Sequence, residues 1–317
     1  MKAGTLIYTH GGGQLGNQVL RFAHWLAWAL ERAGEIEVRN LAFWPYAKYF
    51  ATWQAHPGCV FPLRPDAWDE VARGLQLLPG WARHRLDWRV QHQVHALGRR
   101  RAGWQAISLN DAAIETLDLG DPAFNRKIYC GVATTCAGWR ISGWEKFGRH
   151  QDAVRRLLQP ARDFASAAAD FTGGLRRHHG FIIGVHLRQG DYRAWLDGRF
   201  LFSTSQYARW IREALDLHAA RNPAVVVVSD APLDDSLGQN QPVYRVSASH
   251  EMTDWTVLSR CDVILGPPST FSATAAFVGG RPLWPVVSRD QVLDRSQLIS
   301  DGLPGAARHP EFGLAVK

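Results

Sequence analysis

Ala224-Val225-Val226-Val227-Val228 is a continuous apolar run, β-branched at every position after the first. Such a run suits a strand buried on both faces, and therefore a parallel sheet with helices on either side. The surrounding sequence fits that frame. Phe181–Leu187 reads as a second apolar strand, and Val243–Val246, Asp262–Leu265 and Pro282–Val287 as shorter ones. Helical periodicity predicts helices over Ser205–Ala220 with Ser205 as N-cap, over Thr253–Cys261 and over Phe271–Val278. The chain opens in the same way, with strand Thr5–His10, loop Gly11–Gln18, helix Val19–Ala33 and strand Glu35–Arg39. Ala161–Arg177 predicts a helix interrupted at Gly173-Gly174, and residues 40–150 show no clean periodicity. Alternation at βαβ spacing gives an α/β fold with two Rossmann-like domains facing a cleft, 1–165 on the N-terminal side and 166–317 on the C-terminal side.

With 317 residues, 46% hydrophobic and 21% charged, the chain can bury two cores and is neither disordered nor a disulfide scaffold. No run approaches the ~18 apolar residues of a membrane span. The apolar stretch after Met1 is too short for a signal peptide, so a cytoplasmic protein is expected. Cys59, Cys130, Cys136 and Cys261 form no C-x-x-C pair and read as reduced, mostly buried thiols. No His/Cys set has zinc spacing, so no metal is expected. The net charge of +7 lies entirely within residues 1–160, which also hold ten of the fourteen tryptophans. Trp81–Trp104 is the densest stretch, with Arg83, Arg85, Arg89, Arg99, Arg100 and Arg101 against Asp87 alone. It is either a solvated basic helix or a contact for an anionic glycan or a phospholipid surface. No nucleic-acid motif accompanies it, so nucleic acid is not an expected partner.

In such folds ligands bind at the carboxyl ends of the strands, and four motifs lie there. Gly11–Gln18 can bring backbone close to a ligand, or is simply a tight turn. In His186-Leu187-Arg188-Gln189-Gly190-Asp191, strand alternation puts His186 and Arg188 on one face. Arg188 can grip a diphosphate or pair with Asp191, and Asp191 can orient Arg188 or act on a substrate hydroxyl. His186 is otherwise a hydrogen-bonded core histidine. Asp230, after the valine run, can read a nucleobase or ribose, or cap the next segment. Ser269-Thr270-Phe271-Ser272 can cradle phosphate at a strand-to-helix turn, or only cap the helix.

Together, in order and spacing, these motifs resemble the bacterial α-1,2-fucosyltransferases (glycosyltransferase family 11), within the wider α-1,2/α-1,6/protein O-fucosyltransferase group. The G-G-x-G-N-Q-like loop of that family resembles Gly12–Gln18, and its H-x-R-R-x-D resembles His186–Asp191, with Gln189 replacing the second Arg. Its S-D-D strand end resembles Ser229-Asp230, with Ala231 replacing the second Asp. Its D-x-x-x-L/M-S-x-C resembles Asp254–Cys261, and its S-T-F-S-W-W-A-A resembles Ser269–Ala276 without the paired Trp. The resemblance covers residues 5–33 and roughly 180–285. It implies a GT-B, metal-independent, inverting transferase that carries L-fucose from GDP-β-L-fucose to a hydroxyl of a glycan in bacterial surface polysaccharide synthesis. GDP-fucose is then a donor substrate, and no cofactor is implied. By resemblance Arg188 neutralises the diphosphate with His186 in support, and Asp191 is the in-motif candidate base. Asp230 reads guanine or ribose, and Ser269, Thr270, Phe271 and Ser272 line the phosphates. Gly13, Gly16 and Asn17 contribute from the N-terminal loop, and His10 is the candidate base outside the motif. The acceptor is a glycan or lipid-linked glycan, an anionic one matching the arginines, with peripheral contact to the inner face of the membrane through Trp81–Trp104. Two alternatives remain open at this point: a transferase for another nucleotide sugar, which the departures at Gln189 and Ala231 suggest, and a non-catalytic glycan-binding module.

Overall fold

A computed structural model describes residues 4–32, 34–108, 117–129, 133–138, 141–232, 237, 241–246, 250–300 and 302–312. The chain divides between Ala161 and Arg162 into two units; the expected 165/166 boundary lies inside a helix.

Unit 1 contains β1 (Gly4–His10), α1 (Leu15–Leu30), β2 (Ile36–Asn40), α2 (Ala51–Ala55), β3 (Val60–Phe61), α3 (Ala67–Gln76), α4 (Gly80–Arg100), β4 (Trp104–Ser108), β5 (Leu117–Asp118), α5 (Pro122–Tyr129), β6 (Ala133–Ala137), β7 (Ile141–Ser142) and α6 (Trp144–Leu157). Its main sheet has the order β3-β2-β1-β6-β4, parallel except at β2–β3, and β5 and β7 pair separately. The chain runs outward from β1 in one direction and returns on the other side, so the strand order reverses between β1 and β6.

Unit 2 contains α7 (Arg162–Arg176), β8 (Phe181–Leu187), α8 (Thr204–Leu217), β9 (Pro223–Ser229), β10 (Val243–Arg245), α9 (Glu251–Arg260), β11 (Val263–Gly266), α10 (Thr270–Gly279), β12 (Leu283–Pro285) and α11 (Leu303–Arg308). Its sheet, β10-β9-β8-β11-β12, is parallel throughout, and the order reverses between β8 and β11. Alternate residues of the central strands feed two cores. Phe181, Ile183, Val185 and Leu187 pack with Tyr207, Trp210 and Ile211 of α8 on one face. Ile182 and Val226 pack with Ala168 and Leu175 of α7 and Val257 and Cys261 on the other. Each buried Val or Ile contributes roughly 1.5–3 kcal/mol of burial, which explains why these strands carry no polar face.

Several boundaries differ from the sequence expectation for physical reasons. Helix α1 begins at Leu15, not Val19, because Leu15 and Gly16 are already buried in the helical face. Its expected end, Ala33, lies outside the described residues. Helix α8 is capped by Ser203, not Ser205: Ser203 Oγ accepts from Gln206 N at 3.3 Å while Gln206 Oε1 accepts from Ser203 N at 2.7 Å. This capping box requires Gln at the third helical position, and only Ser203 has one there. Helix α7 runs unbroken through Gly173-Gly174; roughly 1 kcal/mol per glycine is outweighed by burial of Ala168, Thr172 and Leu175.

Part of the tryptophan surplus of unit 1 lies in its core. Trp25, Trp28, Trp44 and Trp53 are buried in the core of unit 1. Trp81 and Trp88 of α4 are 72% and 58% exposed. Cys59, Cys136 and Cys261 are free and buried, and Cys130 lies outside the described residues. Among the described residues, no helix is long and apolar enough to cross a membrane.

Candidate functional site

Reversal of strand order opens a crevice at the carboxyl ends of the strands flanking it. In unit 2 that position is the loop after β8 and the turn after β11. The loop begins at Arg188. Its Nε and Nη2 donate to the two carboxylate oxygens of Asp191, both at 2.9 Å, and Nε also lies 3.2 Å from Asp230 Oδ2. Asp230 holds the loop itself: Oδ1 accepts from Gln189 N at 2.8 Å and Oδ2 from Gly190 N at 3.1 Å. A Cβ at Gly190 would sit 2.8 Å from that carboxylate, so glycine is what permits the approach. The Gln189 side chain donates to Phe202 O at 2.8 Å, a structural brace at the position where the resembling family carries its second Arg.

The turn after β11 is tied to this loop. Tyr192 lies beneath the Arg188 guanidinium, 5.8 Å from centroid to carbon, and donates to Pro268 O at 2.5 Å. Ser269 then caps α10, its Oγ accepting from Phe271 N at 3.2 Å. His186 shares a 2.7 Å hydrogen bond through Nδ1 with Ser272 Oγ, and its ring lies 5.0 Å from that of Phe271. Burial, reinforced by the Arg188 charge, pushes the His186 pKa down to about 3, so the ring is neutral. Arg188, Asp191 and Asp230 thus converge directly, while His186 is bonded to the Ser269–Ser272 turn through Ser272. Gly13, Gly16 and Asn17 belong to unit 1. Gly12 and Gly13 take φ of +63° and +73°, which L side chains rarely adopt, and Gln18 Nε2 and Arg21 both donate to the Gly12 carbonyl.

A cavity of about 200 Å³ opens beside the Arg188 loop, lined by Val227, Val228, Ser229 and Ala231 at the end of β9, Arg245 and Val246 at the end of β10, and Asp254 of α9. The volume is below the ~300–1,000 Å³ of whole-ligand pockets and suits one planar ring system. Asp254 is buried there, and desolvation pushes its carboxyl up to about 6. Asp230, expected to read a nucleobase or ribose or to cap the next segment, is not among the residues that line this cavity. Its oxygens face the Arg188 loop, and the carboxyl that lines the cavity is Asp254. Asp254 stood in the sequence motif without a role, because an acidic residue early in a helix otherwise reads as a dipole partner. The braces made by Tyr192 and Gln189 carry no sequence signal; what marks them is contact with residues more than ten positions away.

No protein-family model matches the sequence, and no curated protein matches it. Solved structures do. The fucosyltransferase NodZ from Bradyrhizobium is 17% identical, with a TM-score of 0.52 over 94% of this chain and 99% of that one. A NodZ α-1,6-fucosyltransferase soaked with GDP-fucose gives 0.51 at 17% identity, over 94% and 98%. The likeness shows the fold: the chain has the GT-B type of architecture, with two Rossmann-like α/β units.

Proposed function

We propose that the protein is a metal-independent, inverting glycosyltransferase that moves L-fucose from GDP-β-L-fucose to a hydroxyl of a glycan acceptor. The observation that carries this reading is the convergence of a guanidinium and a capped strand-to-helix turn at the strand-order reversal of unit 2, with a cavity sized for one base at the ends of the adjacent strands β9 and β10. The shared fold supports it, since NodZ is an α-1,6-fucosyltransferase soaked with GDP-fucose. Guanine enters the cavity and offers its N1–H and 2-amino group to the ionised Asp254, a two-donor edge matched to two carboxylate oxygens. The diphosphate lies over Arg188 and the Ser269–Ser272 turn. Asp191, 60% exposed where Arg188 is 14% exposed, releases one side of the guanidinium to the incoming phosphate oxygens. Asp230 keeps the loop in place throughout, and His186 positions Ser272. As the bond from the sugar carbon to the diphosphate breaks, the developing charge is taken by a preorganised cation and amide dipoles. An α-1,2 linkage and a role in bacterial surface polysaccharide synthesis complete the proposal. GDP release from GDP-fucose with a glycan acceptor panel tests it; turnover only with a UDP-sugar would assign another donor, and glycan binding without turnover would assign a binding module.

The acceptor is a glycan or lipid-linked glycan handled at the inner face of the membrane. Leu77, 84% exposed, follows α3, and Trp81, 72% exposed, opens α4 with exposed Arg85 and Arg89 in its next two turns. An apolar pair flanked by arginines matches an anionic bilayer surface. Flotation with vesicles containing phosphatidylglycerol is expected to carry the protein upward at low salt. That recovery is expected to fall in high salt, in pure phosphatidylcholine, and in a Trp81→Ala/Arg85→Glu/Arg89→Glu variant.

A further inference from the structure

Unit 1 has its own strand-order reversal, between β1 and β6, and His10 is the last residue of β1. Two histidine rings from one face of α4 meet it there, and a tryptophan extends the row. His92 lies 4.1 Å from His10 between ring centroids, tilted by 32°, and His95 lies 5.6 Å away, edge-on. Trp88, one turn before His92, lies 4.3 Å from it between ring centroids, tilted by 43°. Positions 88, 92 and 95 follow helical i, i+4, i+7 spacing, so α4 presents them as one row. The result is a ladder from exposed Trp88 through His92 to half-buried His10.

The other groups around His10 do not disturb it. Thr9 Oγ1 lies 3.1 Å from His10 Nδ1, and Arg21 of α1 is engaged at the Gly12 carbonyl. Burial pushes the Cys136 thiol of β6 up to about 12 and raises the Tyr8 hydroxyl, so both stay protonated. Burial, with His92 and His95 adding to it, pushes His10 down to about 4, so its ring is neutral at working pH. A neutral imidazole both donates and accepts, as a sugar hydroxyl does. The rings meet at tilted and edge-on angles, and among the described residues no group of three His, Cys, Asp or Glu is arranged to hold a metal ion. The chemistry this row offers suits a sugar: an aromatic face for the C–H side of a pyranose and the neutral His10 imidazole for one of its hydroxyls.

We propose that Trp88, His92 and His10 form the acceptor-sugar subsite of unit 1, a pyranose lying against Trp88 with a hydroxyl hydrogen-bonded to the imidazole row. The assignment rests on the transferase reading above and adds to it where the acceptor is held. Trp88→Ala removes an exposed ring and is expected to leave the melting temperature and the GDP dissociation constant unchanged while raising the acceptor KM about tenfold. His10→Ala is expected to raise the same KM, and His10→Gln, which keeps a donor and an acceptor, to recover much of the loss. Acceptor KM values within twofold of wild type in both alanine variants, with turnover intact, would overturn the proposal. If the wild type turns over no nucleotide sugar, the transferase reading fails instead. Titration with methyl glycosides then decides the subsite alone: tryptophan fluorescence should change in the wild type and not in Trp88→Phe, and an unresponsive wild type would refute it.

Discussion

Replacing Arg188 by alanine is expected to lower transfer from GDP-fucose by about a thousandfold and GDP affinity by about a hundredfold. Two effects add. The diphosphate loses a guanidinium at the strand end, and the carboxylates of Asp191 and Asp230, which Arg188 holds at 2.9 and 3.2 Å, are left to repel it. Arg188→Lys keeps the charge but not the planar fork, and should fall between the two. The measurement is GDP titration calorimetry alongside steady-state kinetics, with a thermal melt to show that the fold survives. GDP affinity within twofold of wild type in the alanine variant would remove Arg188 from the donor site.

Asp254→Asn is expected to weaken GDP by about ten- to a hundredfold and to abolish the preference for GDP over inosine diphosphate, which lacks the 2-amino donor. The reason is directional: an amide turns one of two acceptors into a donor aimed at guanine N–H groups. The pH dependence carries the same signature. With its carboxyl pushed up to about 6, Asp254 is ionised at pH 7 and protonated below. GDP affinity should therefore decline as pH falls through about 6, and the decline should be absent in Asp254→Asn. Stability moves the other way. The folded-state value lies above the unfolded ~3.9, so the folded state binds the proton more tightly, and this group adds stability as pH falls from about 6 towards 4. A wild type whose GDP affinity is flat between pH 5 and 7.5 would exclude Asp254 as the base-reading group.

Much of the fold of unit 2 was legible in the sequence, because strand burial and helix periodicity are written in neighbouring residues. Phe181–Leu187 matched β8 residue for residue, and the apolar runs marked β9 and β11. Unit 1 was much less legible. Its core is built from aromatic residues in short elements such as α2 and β3, where no period has room to appear. This half of the chain holds ten of the fourteen tryptophans, yet Trp25, Trp28 and Trp53 are fully buried. Composition reports how many large apolar rings a chain has and not which side of the surface they occupy.

By itself the sequence determined the alternation of strand and helix in unit 2, and hence its parallel sheet. It also placed Arg188, Asp191 and the Ser269–Ser272 turn at strand ends. What each polar group does was decided only by the tertiary structure. Asp230 bonds backbone N–H groups 40 and 41 positions away, which removes it from the cavity and leaves that cavity to Asp254. His10 meets His92 and His95 across the strand-order reversal of unit 1. Local patterning is a property of adjacent residues and can be read along the chain. A carboxylate or an imidazole takes its role from whichever neighbours packing brings within about 3–6 Å, and packing is settled only when the whole unit has folded.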